Sequence, residues 1–141
     1  MYSIGDIERL LVRVKNFGLE APAEMLSANA DELIAVCNGA GCEHEEHIAH
    51  GAKKALCRVM AFAECSAAIH DWCYAHSDGT EDGRKKADKL FRRNMLDEIE
   101  GRKVRFKWLR QWIALRAYEA VRKYGRSDWC IAFAESQTKG K

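Results

Sequence analysis

Proline is nearly absent: Pro22 is the single one in 141 residues. Proline interrupts helices, so its scarcity favours long helices over a loop-rich chain. No apolar run approaches the ~20 residues that a membrane-crossing helix needs. The N-terminus, Met1-Tyr2-Ser3-Ile4-Gly5-Asp6, has no basic stretch followed by an apolar one, so no signal peptide is expected. That pattern predicts a cytoplasmic or virion-associated location. Segments with the alternation of a strand are also missing, and no internal repeat is visible. What remains is 48% hydrophobic and 31% charged, the composition of a folded domain and not of a disordered chain. The length suits a single domain spanning 1–141.

The net charge of +2 conceals an asymmetry. Residues 1–83 carry 6 Lys/Arg against 14 Asp/Glu, a net of −8, while residues 84–126 carry 15 against 5, a net of +10. A basic half can face anionic lipid, nucleic acid or an acidic protein partner, or can simply pair with the acidic half. Cysteine stands at 37, 42, 57, 65, 73 and 130. The even count would suit disulfides in a secreted domain and buried reduced thiols elsewhere, so both pairings and thiols stay open.

Helix signals recur along the chain. Ser3 can cap a helix over 4–17 whose stripe is Ile4, Ile7, Leu10, Leu11, Val14 and Phe17, with Gly18 ending it. A short helix is expected over 29–37. Residues 38–52, with Gly39, Gly41 and Gly51, read as a long loop, the kind that usually carries function. A long helix is expected over 53–76, a turn at Ser77-Asp78-Gly79-Thr80, and a further helix over 83–100 ended by Gly101. A last helix spans 104–124, with Phe106, Leu109, Trp112, Ile113, Ala117, Tyr118 and Val121 on its apolar side. Residues 127–141 read as a flexible tail. The expected fold is all-α, built on an antiparallel hairpin of the two central helices.

That hairpin gives a geometric argument. His70 lies nine positions before Gly79 and Asp88 nine after it. Folded about the turn, the two residues stand at one height, and packed helix axes lie ~8–10 Å apart. Asp88 can then accept from one ring nitrogen of His70, fixing the tautomer and leaving the other nitrogen as a base. This is the base–orienter half of a triad without a serine, and with no side-chain nucleophile implied, water is the natural nucleophile. Tyr74, four residues after His70, shares its face and can bridge to Asp88. Asp71 points about 100° away and can therefore serve a different task while staying adjacent. A carboxylate near the glycine-rich run Cys37-Asn38-Gly39-Ala40-Gly41 suggests Ca²⁺, a hard cation that accepts backbone carbonyls as ligands.

Taken together, Gly39-Ala40-Gly41, His70-Asp71-Trp72-Cys73-Tyr74 and Ala87-Asp88-Lys89-Leu90-Phe91 resemble the phospholipase A2 superfamily, in particular its compact bacterial, phage and parvovirus-capsid forms. The resemblance covers about residues 30–124. It implies that His70 deprotonates water, that Asp88 orients His70, and that Tyr74 supports Asp88. It also implies that Asp71 and the carbonyls of Cys37, Gly39 and Gly41 hold Ca²⁺. The substrate would be the acyl ester of a phospholipid, reached at an anionic membrane surface.

Three other readings compete. A catalytically inactive relative could serve as a phage-encoded inhibitor, interaction protein or virion component. Trp108, Trp112 and Tyr118 among basic residues could stack on nucleic acid, although such spacing more often marks core. His44, His47 and His50 recur every three residues and, with Cys37 or Cys42, could bind Zn²⁺; no standard zinc spacing fits, and an exposed polar loop is the preferred reading.

Overall fold

A computed structural model describes residues 2–37 and 60–139. The described residues are helical with no strand, an all-α domain as the sequence implies. In chain order the helices are α1 (Ile4–Asn16), α2 (Ala23–Ser27), α3 (Ala30–Val36), a 3-10 turn (Ala61–Ala63), α4 (Glu64–Ala75), α5 (Glu81–Arg102), α6 (Lys107–Tyr124) and α7 (Arg126–Lys139). None of these helices is long and apolar enough to cross a membrane.

The first helices are started by local chemistry. The Ser3 hydroxyl accepts from the Asp6 amide, and the Asp6 carboxylate accepts in turn from the Ser3 amide, closing a capping box at the head of α1. Asn29 and Glu32 repeat the device at α3. Ile7, Leu10 and Val14 form the buried stripe of α1 and join Met25, Leu33, Cys37, Cys65, Ala68, Ile69 and Trp72 in one core. Met25 is fully buried, which explains the short α2 that periodicity alone does not reveal: one methionine anchors it. Asn94 of α5 ties the strap before α2 down. Its amide oxygen accepts from the Glu20 amide, and its amide nitrogen donates to the Glu20 carbonyl.

α4 is the centre of the domain, with Cys65, Ser66, Ala67, Ala68, Ile69, His70, Trp72, Tyr74 and Ala75 all buried. One side faces the α1–α3 core. The other side joins a second core of Met60, Phe62, Ala67, Phe91, Met95, Ile99 and Ala114. The helix is shorter than the expected 53–76: it starts at Glu64, after the 3-10 turn, and 53–59 fall outside the described residues. Ala63 occupies its N-cap and offers no side chain to its first amides. Glu98 of α5 supplies what is missing. Its carboxylate accepts from the amides of Cys65 (3.2 Å) and Ser66 (2.8 Å) and from the Ser66 hydroxyl (2.8 Å). Arg102 donates to the same carboxylate at 2.9 Å. A cap borrowed from another helix satisfies orphan amides and suits the positive end of the α4 dipole.

The turn between α4 and α5 is held by Asp78, whose Oδ1 accepts from both the amide and the hydroxyl of Thr80. Thr80 Oγ1 then caps α5 by accepting from the Gly83 amide. Gly79 stands at φ 79°, a region that other residues avoid, and Phe133 of α7 packs over it. α4 and α5 run antiparallel along a shared polar seam: Ser66, His70 and Tyr74, spaced four apart on α4, meet Glu98 and Asp88 of α5.

Three expectations are corrected at the C-terminal half. Gly101 does not end α5, which runs through it to Arg102 and stops at Lys103 in the left-handed region. The glycine serves a close approach instead, since a Cβ there would lie 2.5 Å from Phe17 Cδ1 and 3.2 Å from Phe17 Cβ. Gly101→Ala is therefore expected to destabilise the protein by about 1–2 kcal/mol, because overpacking outweighs the helix-propensity gain; urea unfolding checks this, and a more stable variant would refute it. The segment 127–141 is expected as a flexible tail, but its described part, up to Lys139, belongs to α7. That helix is anchored by Trp129, which is buried with Tyr74 and Ala87. Finally, α6 buries Ala114 and packs Ile113, Ala117, Tyr118 and Val121 against α5, which turns Phe106 and Trp112 outward, away from the apolar side assigned to them.

Candidate functional site

The polar seam has its densest point at Asp88, which is fully buried on α5. His70 Nε2 lies 2.8 Å from Asp88 Oδ1, and the Tyr74 hydroxyl donates to the same oxygen at 2.6 Å. The other oxygen, Oδ2, accepts from Arg122 Nη1 at 2.6 Å and from Arg84 Nη1 at 3.4 Å. Four donors thus converge on one carboxylate. Burial opposes its charge, but the hydrogen bonds from His70, Tyr74 and Arg122 outweigh burial and hold the Asp88 carboxyl below the ordinary carboxylate range. An ionised Asp88 can only accept, so His70 must present Nε2–H to it. In the neutral ring the lone pair then lies on Nδ1, which has no hydrogen-bond partner among the described residues.

The ring is fixed as well as protonated on a known side. Phe91 stacks on it with centroids 4.5 Å apart, and Tyr74 lies tilted against it at 4.0 Å. Burial, followed by the hydrogen bond to Asp88, pushes the Tyr74 phenol above its usual value, so it remains a donor. Tyr74 is itself crowded: a Cβ at Gly125 would come 3.1 Å from its hydroxyl. The same Cβ would lie 2.6 Å from the Val121 carbonyl oxygen, so a side chain at the α6–α7 junction would crowd both the backbone and the phenol.

The sequence symmetry about Gly79 brought His70, Tyr74 and Asp88 together, and the structure places them in contact. It did not reveal the two arginines. Arg84 is buried, donates from Nε and Nη2 to Glu81 Oε1 at 2.9 and 2.7 Å, and reaches the carbonyls of Val121 and Arg122 at the end of α6. The i,i+4 spacing of Arg84 and Asp88 was a legible sign of the first. Nothing local marks Arg122, which arrives from another helix.

Of the residues assigned to Ca²⁺, Gly39 and Gly41 lie outside the described residues, as do Cys42, His44, His47 and His50. Asp71 is half-buried on α4. Cys37 is buried at the end of α3, with its thiol donating to the Ala68 carbonyl at 3.4 Å. Burial, and then the nearby charge of Asp71, push the Cys37 thiol up to about 12. The sulfur therefore stays protonated, which leaves the backbone oxygen as the ligand that Cys37 could offer a hard cation. Among the described residues no group of three or more His, Cys, Asp and Glu side chains forms a metal cluster. Cys37, Cys65, Cys73 and Cys130 are free thiols.

A cleft of about 750 Å³ lies on another face, lined by Glu20, Trp72, Cys73, His76, Leu90 and Arg93 among others; His70, Tyr74 and Asp88 do not line it. No family model matches the chain, and neither a curated protein nor a solved structure matches it.

Proposed function

We propose that the protein is a water-activating hydrolase of phospholipid acyl esters, with His70 as general base, Asp88 and Tyr74 as positioning residues, and Ca²⁺ as cofactor. The observation that carries the reading is the buried His70–Asp88 pair, which leaves Nδ1 as a fixed acceptor. A water at Nδ1 would give its proton to the ring as its oxygen attacks the ester carbonyl. The same proton would pass to the departing alkoxide, so that one ester becomes a carboxylic acid and an alcohol. Asp71, with the carbonyls of Cys37, Gly39 and Gly41, would hold the cation. Ca²⁺ bound there would supply charge for a substrate phosphate and for the developing oxyanion. Cys37 rests against α4, the helix that carries Asp71, through its contact with the Ala68 carbonyl, which supports this assignment.

The test is acyl hydrolysis on mixed phospholipid vesicles with Ca²⁺ and with a chelator. His70→Ala should lower kcat/KM by a factor of about 10²–10⁴ while leaving helicity intact. Asp71→Ala should remove the response to Ca²⁺. A wild-type protein with no calcium-dependent hydrolysis would refute the proposal.

A second reading has its own support. Arg84 and Arg122 occupy Asp88 Oδ2 and tie α5 to α6, an arrangement that a non-catalytic relative would keep for stability alone. An inactive wild type whose His70→Ala variant loses stability would favour that reading.

A further inference from the structure

We propose that the start of α6 is a docking edge for an anionic lipid surface. Four large apolar side chains stand out there: Phe106 is 65% exposed, Trp108 70%, Trp112 56% and Leu115 38%. Trp108, Trp112 and Leu115 follow i, i+4, i+7 spacing, so they form one ridge on the side of α6 turned away from α5. Phe106 stands just before the first turn, at the helix N-cap with φ 53°, a conformation that residues other than glycine rarely adopt, and its ring joins none of the buried clusters. Exposed apolar side chains that form a contiguous ridge, and are not scattered singly, mark an interaction surface.

Charge identifies the partner. From Arg102 to Arg116 the chain carries six Lys/Arg and no Asp or Glu. Arg102, Lys107 and Arg116 are paired with Glu98, Glu100 and Glu119, whereas Lys103, Arg105 and Arg110 have no ion-pair partner among the described residues. Tryptophan settles at the headgroup level, where its ring is in apolar surroundings and its N–H is wet, and unpaired cations are drawn to anionic headgroups. The ridge matches both demands. A nucleic acid fits it less well: single strands bind in grooves with rings spaced for stacking, whereas this is a convex helix edge, and Leu115 offers a base no ring. A second copy fits least, because a symmetric contact would set the same unpaired cations against each other.

The proposal shares a lipid ligand with the function proposed above, but it does not rest on hydrolysis, and the two can fail separately. The experiment is co-sedimentation of the full chain with phosphatidylcholine vesicles, with and without phosphatidylglycerol, alongside quenching of tryptophan emission by brominated acyl chains. Trp72 and Trp129 are buried, so quenching reads Trp108 and Trp112. Binding should need phosphatidylglycerol, weaken with salt, and fall roughly fivefold for each of Lys103→Gln and Arg105→Gln. The double variant Trp108→Ala/Trp112→Ala should lose at least about tenfold in binding, together with the quenching, while keeping wild-type helicity. His70→Ala should bind vesicles as wild type does, whatever its effect on hydrolysis. Sedimentation that ignores phosphatidylglycerol, or a double variant that binds unchanged, would overturn the proposal. So would tighter binding to a single-stranded oligonucleotide, or a dimer that the tryptophan substitutions dissociate.

Discussion

An Asp88→Ala protein is expected to lose about 3–5 kcal/mol of unfolding free energy, whether or not the wild type is an enzyme. Removing the carboxylate leaves Arg84 buried with one charge partner fewer and deprives His70 and Tyr74 of the oxygen they share. A domain of this kind is stable by only about 5–15 kcal/mol, so the loss would be a large fraction of the whole. Tyr74→Phe removes one of the four donors and should cost about 1–2 kcal/mol. Urea titration followed by circular dichroism measures both, and an Asp88→Ala loss below that of Tyr74→Phe would show that the carboxylate is not the hub described here.

The same group has a pH signature. Its carboxyl titrates lower in the folded protein than in the unfolded chain. Its stabilisation is therefore complete above the unfolded value of about 4 and is lost as pH falls through the lower, folded value. Asp88→Asn should flatten the acid limb of stability against pH below about 4. Exposed carboxyls such as Asp6 and Glu81 are also held low by their partners, so the comparison that matters is between the variant and wild type, not the wild-type curve alone.

Glu98→Ala should cost about 2–4 kcal/mol, from a site with no part in the proposed chemistry. The change would strand the amides of Cys65 and Ser66 in the interior and remove the partner of Arg102. Arg102 is partly exposed and can turn to water; the amides of α4 cannot. The expected signature is a lower urea midpoint with an unchanged slope. Glu98→Gln retains an acceptor and should recover a good part of the loss. If Glu98→Ala unfolds at the wild-type midpoint, the borrowed cap contributes nothing.

Local chemistry made the N-terminal helices legible. Ser3 with Asp6 and Asn29 with Glu32 mark their helices within four residues of chain, and Thr80 marks α5. The meeting of His70 with Asp88 was legible for a different reason, since it follows from counting equal distances from a glycine turn. What the sequence hid was set by distant partners. The cap of α4 comes from Glu98, 32 residues beyond Ser66. α7 looked like a tail because its end is polar, yet Trp129 and Ala132 find cover on α4 and α5. α6 misled because it carries two apolar stripes, one with Ile113 and Ala117 and one with Trp108 and Trp112. Periodicity cannot tell which stripe faces α5.

The line of polar contacts between α4 and α5 also works as a combination lock. Two helices lined with alanine and leucine could slide past each other by a turn and bury nearly the same area. Here a slip of one turn, about 5.4 Å, would carry His70 off Asp88 and Ser66 off Glu98 together, depriving two buried carboxylates of their donors on α4. Each contact adds only modestly to stability over the best apolar replacement. Jointly they make the wrong alignments far worse than the right one, so the chain holds a single register.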